Sequence, residues 1–137
     1  MDPMSTLECG SSIIETTAAG PVLEVAFRGL HDWEHGRKMD AYIRERVDAE
    51  MPAAIVINLL EYDYEFGNDL AGLFAASMYR RPPPLRPVCM AAQGRTLRCL
   101  KSLFRGSRLE LVFEVSFAES RETAVADVRR QLQGSHA

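Results

Sequence analysis

Near the start of the chain, apolar and polar residues alternate with the two-residue period of a β-strand, and two strands are predicted there. In residues 21–28, Leu23, Val25 and Phe27 occupy every second position, and two of the three residues between and after them are charged. This period places the three apolar side chains on one buried face of a strand. Residues 12–16 are predicted as a preceding strand, and the glycine–proline pair between the two segments predicts a turn.

The pattern further along the chain predicts alternating helices and strands. Apolar residues recur at helical spacing in four segments, and apolar runs or alternating segments of strand length separate them. The helices are predicted at residues 32–49, 68–80, 94–106 and 118–132, and the strands at 53–60, 86–91 and 109–115. The order β-β-α-β-α-β-α-β-α predicts a single α/β domain, in which a mixed, mostly parallel sheet of about five strands packs with about four helices.

The length and composition fit one globular domain. The chain has 137 residues, of which 47% are hydrophobic and 26% are charged. We expect residues 1–11 to form a flexible lead-in, residues 12–133 to form the domain, and residues 134–137 to form a tail. The net charge of −3 argues against nucleic acid as a partner, because proteins that bind a phosphate backbone carry a basic excess.

The three cysteines and the absence of long apolar runs predict a cytoplasmic location. Cys9, Cys89 and Cys99 are widely spaced and form no CxxC pair, so neither a disulfide framework nor a zinc site is indicated. Cys89 and Cys99 lie in apolar stretches, where free cysteine is usually a small core residue. No segment has the length of a membrane span, and the first residues lack the pattern of a signal peptide.

Several segments of the chain resemble the STAS domain family, which is named for sulfate transporters and anti-sigma factor antagonists. The family pattern has a strand closed by a glycine, a charged helix, and an apolar strand that runs into a loop and a second helix. Here the corresponding segments are PVLEVAFRG, residues 32–49, and AAIVINLLEYDYEFGNDLAGLF. The later segment RPVCMAAQGRTLRCLKSLFRGSRLELVFEVSFAESRETAVADV resembles the family ending. The resemblance covers residues 12–133.

The resemblance implies a protein-interaction module that is not an enzyme and needs no cofactor. Antagonist-type members carry an Asp-Ser-Ser-Gly-like motif after the third strand, and a kinase phosphorylates one serine there. In this chain Asn68 and Asp69 take the places of that serine and the following glycine, and residues 58–76 contain no serine or threonine. We therefore expect no phosphoregulation at the usual position. The implied role is transcription regulation in bacterial signalling, with an anti-sigma factor or kinase-like regulator as the protein partner.

The loop after the third strand is the predicted partner-binding site. Tyr64, Glu65, Asn68 and Asp69 combine an aromatic ring with acidic and amide groups, as protein-contact surfaces often do. Asp69 places a permanent negative charge in the same region in which relatives carry a phosphate, although an aspartate has less charge and fewer acceptor oxygens. The simpler interpretation is a helix N-cap followed by an acidic first turn. Either Tyr62 or Phe66 is expected to point into the core.

Two other kinds of site remain open from the residues alone. Gly94 and Arg95 follow a strand and begin a helix, so they can present N–H groups and charge to the anionic part of a small molecule or nucleotide. His31 and His35 match the H-x-x-E-H motif of inverted zinc proteases, but a helix boundary interrupts it and we expect no metal. A homodimer is a further option, and no membrane contact is expected.

Basic residues are concentrated in the second half of the chain. A solvated surface is the simpler interpretation, since arginine and lysine are usually exposed. If the fold brings them onto one surface, they can pair with an acidic partner. The residues are Arg80, Arg81, Arg86, Arg95, Arg98, Lys101, Arg105 and Arg108.

Overall fold

One five-stranded mixed sheet organises the chain in the computed structural model. The structure describes residues 7–30, 34–64, 73–74, 76, 79, 86–106 and 115–134. The strands are β1 (Glu8–Thr17), β2 (Gly20–Leu30), β3 (Ala54–Asp63), β4 (Val88–Ala91) and β5 (Ser116–Ala118). The helices with described bounds are α1 (His35–Glu50), α2 (Gly94–Gly106) and α3 (Arg121–Gly134).

The strands lie in the order β1-β2-β3-β4-β5, which confirms the predicted mixed, mostly parallel sheet. β1 pairs antiparallel with β2 through a tight turn, and the other three neighbouring pairs are parallel. The turn requires a glycine, because Gly20 has a φ of 135° and an added Cβ would lie 3.3 Å from the Cβ of Ala53. The sequence Gly-Pro therefore sets where the hairpin closes.

Two apolar layers cover the sheet. On one face, Leu23, Val25 and Phe27 of β2 belong to a core that also contains apolar residues of α1 and α2. On the other face, Val22 belongs to a second core that contains the buried residues of α3, such as Val128. β3 contributes to both cores, which explains why its first half is an almost unbroken apolar run.

Several element boundaries differ from the predicted ones. β1 begins at Glu8, inside the range predicted as a lead-in, and β3 continues to Asp63, three residues beyond its predicted end. β5 occupies Ser116–Ala118, directly after the predicted strand range 109–115, most of which lies outside the described residues. β5 ends in buried Ala118, and Ser120 then caps α3 by accepting a hydrogen bond from the Thr123 N–H at 3.1 Å.

Three helices have described bounds, where the sequence predicted four. The predicted helix at 68–80 lies largely outside the described residues, although Leu73, Phe74 and Ala76 are helical and buried there. Phe74 stacks on Phe104 of α2 with ring centroids 5.0 Å apart, so this segment packs into the same core as α1 and α2. Within the described part of the chain, every helix is too short or too polar to cross a bilayer.

Candidate interaction surface

The last residues of β3 extend beyond the neighbouring strand β4. Pairing between β2 and β3 continues to Leu30 and Asp63, whereas pairing between β3 and β4 ends at Asn58 and Ala91. The end of β3 therefore projects from the carboxyl edge of the sheet on the β4 side. In open α/β sheets this edge is where binding sites usually form, because the loops that leave the strands meet there.

Buried hydrogen bonds hold the end of β3 to both α1 and α2. Tyr62 is buried, and its hydroxyl oxygen lies 2.9 Å from Nδ1 of the buried His35 in α1. On the α2 side, the Thr96 hydroxyl donates to the Tyr62 carbonyl at 2.9 Å and accepts from the Tyr64 N–H at 3.0 Å. These contacts fix the position from which the chain enters residues 65–69. The prediction that Tyr62 or Phe66 points into the core is confirmed for Tyr62.

The structure corrects one of the predicted partner-binding residues. Tyr64 is 1% exposed and belongs to the core that contains α1 and α2, so its side chain has no surface to offer a partner. The physical reason is that Tyr62 and Tyr64 are two residues apart in extended chain, which directs both rings to the same side. Glu65, Asn68 and Asp69 lie outside the described residues, so their role stays a prediction.

Gly94 and Arg95 border an open cleft of about 460 Å³ beside the end of β3. Gly94 has a φ of 56° at the start of α2, and the Arg95 guanidinium lies 2.8 Å from the Asp63 carboxylate. Glu61 also lines the cleft. Two carboxylates thus border the position considered for an anion. Asp63 pairs with Arg95, and Glu61 pairs with Arg28. This arrangement does not favour an anionic ligand.

A second cavity of about 510 Å³ lies over β1, β2 and β3, next to the start of α3. At its side the Glu24 carboxylate accepts hydrogen bonds from Asn58 Nδ2 at 3.2 Å and from Arg121 Nε at 2.8 Å. Glu24 is well shielded, since only 12% of its side chain is exposed. Arg28 forms ion pairs with Glu61 and, at 3.9 Å, with Glu8 on the cavity wall.

The network around Glu24 was not predicted as a site from the sequence. The available signal was Glu24 and Asn58, two polar residues within otherwise apolar strands. Their partner Arg121 is 97 residues from Glu24 in sequence, so only the fold brings it there.

The histidines and cysteines are the remaining candidate residues. His35 is buried against Tyr62, and His31 lies outside the described residues, as does the third histidine. Among the described residues, no cluster of three side chains has the composition of a metal site. Cys89 is fully buried, and burial raises the pKa of its thiol to about 11, which disfavours the reactive thiolate. Cys9 is exposed on β1.

Comparison with known proteins identifies the fold. No protein-family model matches the chain, and no curated protein matches it. The structure is similar to a crystal structure of an anti-sigma factor antagonist from Mycobacterium paratuberculosis, with a TM-score of 0.64 and 19% sequence identity. That match covers 93% of this chain and 97% of the other.

A second solved structure points to the same fold. It is an uncharacterized protein of the DUF3478 family with a SpoIIAA-like fold, from Shewanella loihica PV-4. The TM-score is 0.53 and the identity 17%, and the match covers 91% of this chain and 98% of the other. The element order, the mixed sheet and both structural similarities show that this chain has the fold of a STAS-like domain.

Proposed function

We propose that the protein is a non-enzymatic interaction module of the anti-sigma factor antagonist type, which binds a protein partner through the segment that follows β3. The observation that carries this proposal is the similarity to the Mycobacterium antagonist along nearly the full length of both chains. Because identity is only 19%, that similarity supports the fold alone, and the choice of surface rests on this chain's own residues.

The geometry at the end of β3 supports the choice of surface. Hydrogen bonds with the side chains of His35 and Thr96 hold Tyr62 and the backbone of Tyr64 in the core. A segment that leaves such a rigid edge starts from a defined position, which lowers the entropy lost when it binds. The partner contacts proposed here are Glu65, Asn68 and Asp69, without the side chain of Tyr64.

The chemistry of residues 65–69 argues for a module without a phosphoswitch. The segment contains two acidic residues and one asparagine, and no hydroxyl group that a serine kinase can modify. In this proposal Asp69 supplies a permanent negative charge, and the protein stays in one binding state where relatives alternate between two. The partner class that fits this role is an anti-sigma factor or a regulator that replaces one, in the bacterial cytoplasm.

Affinity capture with a charge-reversal variant tests the proposal. The tagged full chain, Asp69→Arg and the control Glu45→Arg are each used to capture proteins from the native lysate, and mass spectrometry identifies what is enriched. Glu45 is exposed on α1, so the control makes the same change in charge outside residues 65–69. We expect one protein to be enriched by the wild type and the control, and to be lost with Asp69→Arg. Equal recovery with all three chains would exclude the proposed surface.

A further inference from the structure

Helix α2 presents an exposed face whose orientation is fixed by its apolar residues. Leu97, Leu100, Leu103 and Phe104 are buried in the core that also contains residues of α1 and β3. Because these side chains cannot leave the core without unfolding the helix, the opposite face of α2 is permanently directed to solvent.

That exposed face carries three basic residues close together. Arg98, Lys101 and Arg105 are all exposed, and at about 100° per residue they fall within a sector of about 60° around the helix axis. We call these three residues the basic stripe. No ion pair between described residues involves any of them. Arg105 lies in the last turn, where the helix dipole favours a cation, but like charges at spacings of three and four residues repel each other along the helix.

The charge of the stripe contrasts with the charge of the chain. The net charge of the chain is −3, whereas α2 carries four positive charges and no negative one, so the rest of the chain has a net charge of −7. Arg95, the fourth basic residue of α2, pairs with Asp63 at the end of β3. The stripe is therefore a local positive surface on an acidic protein, and such a surface attracts negatively charged partners.

The shape of the stripe favours an acidic helix over other anionic partners. A membrane-binding helix needs apolar residues directed toward the lipid, but the apolar residues of α2 are buried. Duplex DNA presents phosphates along many turns and would extend beyond the stripe onto the acidic remainder of the chain, whereas a short helix would contact the stripe alone. A helix with carboxylates three and four residues apart matches the spacing from Arg98 to Lys101 and from Lys101 to Arg105.

We propose that the basic stripe is a docking surface for an acidic helix of a partner protein. The inference goes beyond the proposed function, because it concerns α2 and holds whether or not residues 65–69 contact a partner. Pairing along the stripe would neutralise charges that have no ion-pair partner among the described residues. The interaction would be electrostatic and would weaken as salt screens it.

Binding of a synthetic acidic peptide tests this assignment. The probe is a labelled helical peptide of about 15 residues with glutamates spaced three and four residues apart, and its neutral counterpart has glutamine at those positions. Fluorescence anisotropy is measured with the full chain, with Arg98→Glu/Lys101→Glu, and with the control Arg37→Glu/Lys38→Glu. Both double variants change the net charge from −3 to −7, and all four positions are exposed, so circular dichroism should show both folded.

We expect the full chain to bind the acidic peptide. The affinity should be about tenfold weaker in the stripe variant and should change by less than about twofold in the control. Binding by the neutral peptide should be absent. Equal weakening in both double variants would overturn the proposal, because net charge would then explain it. No measurable binding of the acidic peptide would also overturn it. So would tighter binding to phosphatidylglycerol vesicles or to a DNA duplex in the same buffer. Asp69 is unchanged in all these chains, so none of these outcomes decides the role of residues 65–69.

Discussion

The buried hydrogen bond between Tyr62 and His35 gives the most direct prediction about how the interaction surface is held in place. The change Tyr62→Phe removes the hydroxyl that lies 2.9 Å from His35 Nδ1 and keeps the ring in the core. Losing one hydrogen bond between buried groups lowers the free energy of unfolding by about 1.5 kcal/mol, within a range of about 1–3 kcal/mol. The backbone bonds from Thr96 to this segment remain in the variant.

The size of the effect can be converted into a melting temperature. Unfolding entropy near the transition is about 2.1 cal/mol/K per residue, which gives about 0.29 kcal/mol/K for a chain of this length. A loss of about 1.5 kcal/mol therefore lowers the Tm by about 5 °C. Thermal unfolding followed by circular dichroism measures this shift directly.

A matched control shows whether the loss of stability comes from the burial of the hydrogen bond or from the removal of any tyrosine hydroxyl. Tyr42→Phe removes a hydroxyl that donates to the Ser11 hydroxyl at 3.2 Å in an exposed position. Water can replace that partner, so the Tm should change by less than about 2 °C. If Tyr62→Phe and Tyr42→Phe lower the Tm equally, the buried hydrogen bond does not hold the end of β3, and the reasoning behind the rigid edge fails.

Three further predictions follow from the two cavities and the cysteines. Glu24→Ala removes the acceptor for Asn58 and Arg121 and should lower the free energy of unfolding in urea by about 1–2 kcal/mol. The control is Glu8→Ala on the exposed rim, and an equal loss of stability in both variants would contradict a structural role for the network. Arg95→Ala removes an ion pair that is about half exposed and should lower stability by less than about 1 kcal/mol; a larger loss would show that the cleft is better shielded than its geometry indicates. At about pH 8 a disulfide reagent should modify the exposed Cys9 before the buried Cys89, although burial also raises the pKa of the Cys9 thiol. Cys89 should react only after unfolding, because its raised pKa leaves about one thiol in a thousand as thiolate. Rapid labelling at Cys89 in the Cys9→Ala variant would refute this.

Much of the fold could be predicted from the sequence because the apolar pattern reports burial. The alternation in β2 corresponds to a strand with one covered face. The continuous apolar run in β3 corresponds to a strand covered on both faces. The short loops and alternating element types then leave few arrangements other than a mostly parallel sheet. For the same reason the residues facing α1 and α2 could be identified from their spacing.

The position of Tyr64 could not be predicted, because it depends on an irregularity within β3. The pairs Ala26–Asn58 and Arg28–Glu61 show that β3 contains one more residue than β2 between these points. Such a bulge reverses which side of the sheet the following residues face. After it, Tyr62 and Tyr64 join the core that also holds Leu59. A sequence pattern that ends the strand at Leu60 gives no sign of this change.

The polar contacts at the sheet edge could not be predicted from the sequence pattern either. Arg95 was left open as a cation for an anionic ligand, but the end of β3 places Asp63 beside it. The Glu24 network needs α3 to return to β2, which joins residues that are far apart in the chain. Long-range pairs of this kind depend on the packing of whole elements, whereas periodicity reports only local exposure.

Hydrogen–deuterium exchange of the full chain, alone and bound to its captured partner, shows which surface the partner covers. We expect partner binding to slow exchange in peptides covering residues 59–70 and to leave α3, on the opposite face of the sheet, unchanged. Slower exchange confined to α3 or to β1, with residues 59–70 unaffected, would contradict the claim that this protein binds through the segment following β3.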